Sequence, residues 1–153
     1  MDTVIQVLGA FLAILAFSVV IDAPKKYLPY CGMTGAVGWF VYLLTLPGFG
    51  AVGANFLGAL AISLLSHILA RIFKAPVTVF LIPGILILVP GADLYRSVYN
   101  FLIGDQSLAG GYLTRTIQIA GMIALAIFIT DSLFAVFQQN RRRRKNADDR
   151  EKG

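Results

Sequence analysis

The apolar stretch over residues 76–103 is long enough to cross a bilayer, yet it is broken at its middle. It reads Ile82-Pro83-Gly84, then Leu88-Val89-Pro90-Gly91-Ala92-Asp93, with Tyr95, Arg96 and Asn100 following. Proline removes a backbone donor and clashes with the preceding turn, and glycine adopts conformations that other residues avoid. Backbone groups freed in this way persist at membrane depth only where protein or a water-filled cavity surrounds them. The stretch therefore predicts a discontinuous helix, with breaks at Pro83-Gly84 and Pro90-Gly91, inside a helical membrane bundle. Pro90 falls near the middle of the stretch, which predicts a break at bilayer-midplane depth.

Composition agrees. The 153 residues are 58% hydrophobic and 14% charged, where a soluble domain carries about 25% charged residues. Much of that charge lies in the tail that opens with Arg141-Arg142-Arg143-Arg144-Lys145, and the remainder holds no polar block large enough for a soluble domain. The isoelectric point of about 9.6 comes largely from this tail. It reads as a cytoplasmic anchor drawn to anionic lipid, and nucleic-acid binding is a poor explanation of it. The one cysteine, Cys31, excludes an internal disulfide and a Cys-rich metal site, and fits a small apolar residue at a helix mouth. Asp2 stands where a signal peptide needs positive charge, and the run over residues 4–21 ends in Asp22-Ala23-Pro24 without a small-x-small cleavage pattern. The first apolar run is therefore expected to remain as a membrane helix.

A helix needs about 20 mostly apolar residues to cross the hydrocarbon core. Five segments qualify: residues 3–21, 30–46, 51–73, the interrupted 76–103, and 114–137. The expected fold is an all-α integral membrane protein of five transmembrane helices, the fourth interrupted by Pro-Gly. Residues 1–138 form the membrane domain, and 139–153 form a basic cytoplasmic tail expected to be disordered. Lys25 and Lys26, then Arg71 and Lys74, then the Arg run would all lie on one side. The excess of basic residues in cytoplasmic loops predicts the N-terminus outside and the C-terminus inside. Arg115 is the exception, at a helix start beside the outer Asp105 loop. No internal repeat is evident.

Within this frame a few polar residues are candidates for chemistry. Asn55, Ala59, Ser63 and His67 recur every fourth residue on the third span, with Ser66 beside them. Such a stripe either packs helices or walls a cavity, and His67 could exchange a proton near neutral pH. Gly32, Gly35 and Gly38 on the second span either admit a close neighbour or line a pathway, and mid-span Trp39 favours a buried or cavity-facing place. Tyr27 and Tyr30 read as interface aromatics. Asp93 and Arg96 are costly inside a membrane and are candidates by default. Asp93 could cap the second half-helix, neutralise Arg96 three residues on, or meet a substrate ammonium or a proton. Free N–H groups at the break would bind a carboxylate, with Arg96 selecting anions. The candidate substrate site is thus Pro90, Gly91, Asp93, Tyr95 and Arg96, with Ser63 and His67 from the third span. An amino-acid zwitterion suits a site with both signs of charge. A dicarboxylate would favour Arg96 and the N–H groups, with Asp93 protonated. Asp131 is expected to snorkel towards the Arg run. No catalytic residue, metal-ligand pair or nucleotide loop is present, so no enzyme is expected, and no cofactor beyond a coupling proton or ion.

With these residues in view, the chain resembles the threonine/serine exporter family, in its five-span C-terminal half. The resemblance lies in Ile21-Asp22-Ala23-Pro24-Lys25-Lys26-Tyr27-Leu28, Cys31-Gly32-Met33-Thr34-Gly35-Ala36-Val37-Gly38-Trp39 and Lys74-Ala75-Pro76-Val77. It is strongest in Ile82-Pro83-Gly84-Ile85-Leu86-Ile87-Leu88-Val89-Pro90-Gly91, with Tyr95 just after, and covers roughly residues 17–137. The resemblance implies secondary export of threonine and serine, or of a dicarboxylate such as succinate, across a bacterial inner membrane. It also implies a companion membrane subunit supplying the other half, or a homo-oligomer. The rival reading is a non-transporting membrane scaffold, with polar stripes that only hold helices together.

Overall fold

A computed structural model describes residues 3–151; the side chains of Gln138, Asn140 and residues 141–151 lie outside that description, as do residues 1, 2, 152 and 153. The basic tail's expected contacts and the Asp2 end fall there. All elements among the described residues are helical: α1 (Thr3–Val20), α2 (Leu28–Phe73), α3 (Thr78–Ile85), α4 (Gly91–Leu102) and α5 (Gln106–Glu151), with 3-10 turns at Lys25–Tyr27 and Leu86–Leu88.

The helices stop where local chemistry stops them. After α1, Asp22 adopts a left-handed φ of 57°. Its N–H reaches Val19 O at 3.1 Å, and Ala23 N–H reaches Ser18 O at 2.9 Å. These paired bonds satisfy carbonyls left open at a helix C-terminus, and Pro24 then prevents resumption. Lys74-Ala75-Pro76 repeats the device after α2, with Lys74 at φ 51° and Ala75 N–H on Ala70 O at 3.0 Å. Gly104 closes α4 in the same way at φ 89°, with Asp105 N–H on Asn100 O at 2.9 Å. The Asp105 carboxylate then accepts Leu108 N–H at 3.0 Å and starts α5. One three-residue link thus ends one helix and caps the next.

The second and third apolar segments of the sequence are the two halves of α2. At Gly50 the backbone turns to φ 65°, ψ 177°, outside helical space, in a conformation that glycine alone adopts at little cost. Beyond this turn the chain folds back: a Cβ on Gly58 would sit 3.0 Å from Gly38 O, and one on Gly38 would run into Ile62. The Gly38–Gly58 pair lets the two backbones touch. α1 crosses the first half at Gly32 and Gly35, against Phe11 and Ile14. These glycines serve packing.

α3 corrects one expectation. Pro83 and Gly84 lie inside this helix and do not break it. Proline leaves the carbonyl four residues earlier without its helical donor; here that is Val79 O, which accepts the Cys31 thiol at 3.3 Å. The next carbonyl, Phe80 O, shares the Thr34 hydroxyl with Cys31 O, at 3.3 and 2.7 Å. Gly84 lies where α3 meets α2, since a Cβ there would be 2.5 Å from Thr34 Oγ1. The bend comes later, between Thr78–Leu88 and Gly91–Leu102, and measures 49°.

Two cores hold the bundle. One joins Ala59 and Ile62 to Leu88, Ile119, Ile123 and Ala126; the other gathers Cys31, Leu69, Ala70 and Phe80. Tyr27 and Tyr30 belong to the second, packing edge-on or tilted against Phe73 and Phe80. The distribution of polarity is inverted relative to a soluble protein. Ser18, Thr34, Asn55, Ser63, Ser66, His67 and Thr130 are buried, while Leu8, Leu12, Leu44, Ile68, Ile117, Phe128 and Phe137 are exposed. In water such a surface would be strongly disfavoured; lipid or another protein must cover it.

Candidate functional site

The chain breaks at Val89-Pro90. Val89 is extended, and Pro90 sits at φ −78°, ψ 53°, where Gly91 N–H folds back onto Val89 O at 2.8 Å. This is an inverse γ-turn. It takes the Gly91 donor out of the helical ladder, so Ile87 O loses its usual partner. Pro90 O accepts Leu94 N–H at 3.1 Å and begins α4. The N–H groups of Ala92 and Asp93 fall in the first turn, where no helical acceptor exists.

Around the break lies a cavity of about 210 Å³, walled by Ile87 to Asp93 together with Trp39, Tyr42, Ala51, Asn55, Arg115 and Ile119. That is several times the ~30 Å³ share of one water, and below the roughly 300–1,000 Å³ of drug-sized sites. The scale is that of a small metabolite. Trp39 stacks on Tyr42 with centroids 4.9 Å apart, and Asn55 donates to Ala51 O at 2.7 Å. Three other grooves are larger: about 460 Å³ between α4 and α5 and about 530 Å³ beside Gln118, neither lined by a charged side chain, and about 240 Å³ along the start of α5, which Arg115 also lines but no acidic side chain does.

The charges in the cavity are Asp93 and Arg115, with Arg115 Nε 3.2 Å from Asp93 Oδ2. The Asp93 side chain is 13% exposed and that of Arg115 is 50% exposed. The pair presents one negative and one positive group beside a first helical turn, whose partial positive charge favours the carboxylate. Asp93 is tied to Arg115, and no side chain makes a cap hydrogen bond at the α4 N-terminus.

Pro90, Gly91 and Asp93 therefore lie together at the cavity, with Asn55 and Trp39, whereas Tyr95, Arg96, Ser63 and His67 do not. Arg96 is exposed and lies over the Tyr112 ring at 5.8 Å; it does not neutralise Asp93. Tyr95 is 69% exposed and stacks on Tyr99. Ser63 and His67 are buried farther along α2, outside the cavity lining. His67 Nε2 is 2.6 Å from Asp131 Oδ1, so Asp131 pairs with His67. Ala51, one residue past the Gly50 turn, lines the same cavity. Arg115 was missed as a site residue, although its signal was present: it is the one basic residue that the charge distribution across the loops leaves unexplained.

Among the described residues, three helices are long and apolar enough to cross a membrane, or four if the bent α3–α4 pair is one span. Long apolar helices, buried polar side chains and an apolar exterior define an all-helical membrane protein. A family model described as "Threonine/Serine exporter, ThrE" matches residues 6–133, and the chain belongs to that family of amino-acid exporters. The threonine/serine exporter of Corynebacterium glutamicum is 31% identical over 109 residues, which are 71% of this chain and 22% of that protein. A probable threonine/serine exporter of Mycobacterium tuberculosis is 27% identical over 124 residues, 80% of this chain and 23% of that protein. The chain thus spans less than a quarter of the length of these relatives. No solved structure matches it.

Proposed function

We propose that the chain is one subunit of a secondary exporter of threonine, serine or a related small carboxylate, working in a bacterial inner membrane without enzymatic activity. The observation that carries the reading is the Asp93–Arg115 pair at the helix break, which offers both signs of charge to a zwitterion. The substrate ammonium meets Asp93. Its carboxylate meets Arg115 and the open N–H groups of Ala92 and Asp93, while Trp39, Tyr42 and Asn55 bound its side chain. Occupancy exchanges one ion pair for two. The family and the site chemistry together favour an amino acid over a dicarboxylate, for which Asp93 would have to be protonated. A companion membrane subunit, or further copies of this chain, completes the enclosure, since five helical segments leave the exposed faces noted above uncovered.

Labelled threonine and serine flux in vesicles, with the chain alone and with its companion, tests the reading. Gly91→Leu should cut export by about tenfold or more by filling the approach to the first turn of α4. Native flux through Gly91→Leu at normal protein level would remove the break from the pathway.

The two halves of α2 and the bent α3–α4 pair, added to α1 and α5, make five crossings. The N-terminus is outside and the C-terminus inside, by the placement of Lys25, Lys26, Arg71 and Lys74. In a Cys31→Ser background, Asp105→Cys should react with an impermeant thiol reagent from outside, and Lys145→Cys only from inside. The opposite pattern would reverse the topology.

A further inference from the structure

About 18 Å along α2 from Asn55, at 1.5 Å per residue, lies a second charged pair outside the cavity. His67, the one histidine of the chain, is 2.6 Å from Asp131 Oδ1 through Nε2. Its side chain is 10% exposed and that of Asp131 is 54% exposed, so the pair joins the bundle interior to its surroundings. The imidazole lies flat on Phe134, centroids 4.2 Å apart with 6° between the planes, and the Arg71 guanidinium stands 4.6 Å from the same phenyl ring. Among the described residues, the buried side-chain atoms without a hydrogen-bond partner are Ser63 Oγ and Ser66 Oγ, both within about one helical turn of His67. Unpaired buried hydroxyls are costly and call for a role. They lie between His67 and the cavity on the helix that carries Asn55.

We propose that His67 and Asp131 form the proton site that drives this exporter, a reading that rests on the proposed export function. At 2.6 Å one hydrogen lies between nitrogen and oxygen. A neutral imidazole with the aspartate has net charge −1, and uptake of one proton makes imidazolium-aspartate, with net charge zero. Each cycle binds one proton at the ring and releases it, and no other bond changes. Among the described residues, charged groups around the pair are few. α1 and α3 bring no ionisable side chain, and α5 brings Asp131 itself. α2 adds Arg71 and, at its end, Lys74, while the turn at Lys25–Tyr27 adds Lys25, Lys26 and Tyr27, held there by Tyr27 on Phe73. Arg71, across Phe134, offsets the unprotonated pair. Ser63 and Ser66 supply hydroxyls for passing the proton along α2. A stripe that only packed helices would need neither the carboxylate nor the ring.

The test separates driving force from carriage. In vesicles holding the full chain and its companion, accumulation of labelled threonine under an imposed pH gradient is compared with exchange of labelled for unlabelled threonine at equal pH. His67→Gln and Asp131→Asn should lower the ratio of gradient-driven to exchange flux by about tenfold or more, the scale of a lost charge-assisted hydrogen bond. If both fluxes fall together the pair is structural, and if neither falls it is a bystander; either result overturns the proposal. Absence of both fluxes in the native protein would refute the export reading instead. The proton site is then decided without transport, by the ¹⁵N resonances of this single histidine in the full chain. They should show both the neutral and the protonated form in the native chain, and Asp131→Asn should change their proportion. Resonances fixed in one form, or indifferent to Asp131→Asn, overturn the site.

Discussion

Replacing Arg115 by glutamine is expected to lower threonine export by about ten- to a hundredfold, the factor carried by one charge-assisted hydrogen bond. Arg96→Gln should leave export close to native, because Arg96 is exposed over Tyr112 and outside the cavity. The two arginines thus divide the reading drawn from sequence spacing from the one drawn from geometry. Arg115→Gln also leaves the Asp93 carboxylate, 13% exposed, without its partner; stability should fall by about 1–3 kcal/mol. Adding Asp93→Asn removes that stranded charge, so the double variant should recover thermal stability in detergent without recovering export. Export that survives Arg115→Gln, or falls equally with Arg96→Gln, would dismiss the ion pair as the substrate's anchor.

A comparably large effect, this time on folding, is expected at Gly58. A Cβ there meets Gly38 O at 3.0 Å and Leu88 Cδ1 at 3.1 Å. The first is backbone and cannot swing aside; the second belongs to the last residue before the break. Gly58→Ala should be tolerated after a shift of a few tenths of an ångström. Gly58→Leu should separate the halves of α2 and displace Leu88, at a cost of about 1–3 kcal/mol or more. Unfolding temperature and yield of folded protein in detergent measure the difference. Equal stability of the alanine and leucine variants would mean that the two backbones do not meet at this point.

Sequence alone carried the helical class, because hydrophobic length is a local property. It also marked the helix ends, since Asp22-Ala23-Pro24 and Lys74-Ala75-Pro76 bear their stop signals within three residues. The two prolines of the fourth segment look alike on paper and behave differently. The carbonyl that each orphans finds its donor in a different place, and Leu86 O, four residues before Pro90, takes Val89 N–H at 3.2 Å from the adjoining turn. Val79 O is met by Cys31, 48 residues earlier, and the helix continues. At Pro90 the chain closes on itself in a γ-turn, and α4 starts afresh. The ion pairs were illegible for the same reason. A three-residue spacing suggests Arg96 for Asp93, but the partner is reached across the Gly104-Asp105 corner. His67 and Asp131 are 64 residues apart, and nothing local joins them.

The corners of this chain are not mechanically alike. Those at Asp22, Lys74 and Gly104 are pinned by paired backbone bonds, two of them followed by proline, and behave as stiff joints. Compliance is left to Gly50, free of Cβ crowding, and to the single-bonded turn at Pro90. Both compliant points border one cavity, one beside Ala51 and the other within its wall. The α4–α5 hairpin beyond Pro90, clasped by the Ser97 hydroxyl on Ala109 O at 2.9 Å, is therefore an arm whose fulcrum lies in the wall of that cavity.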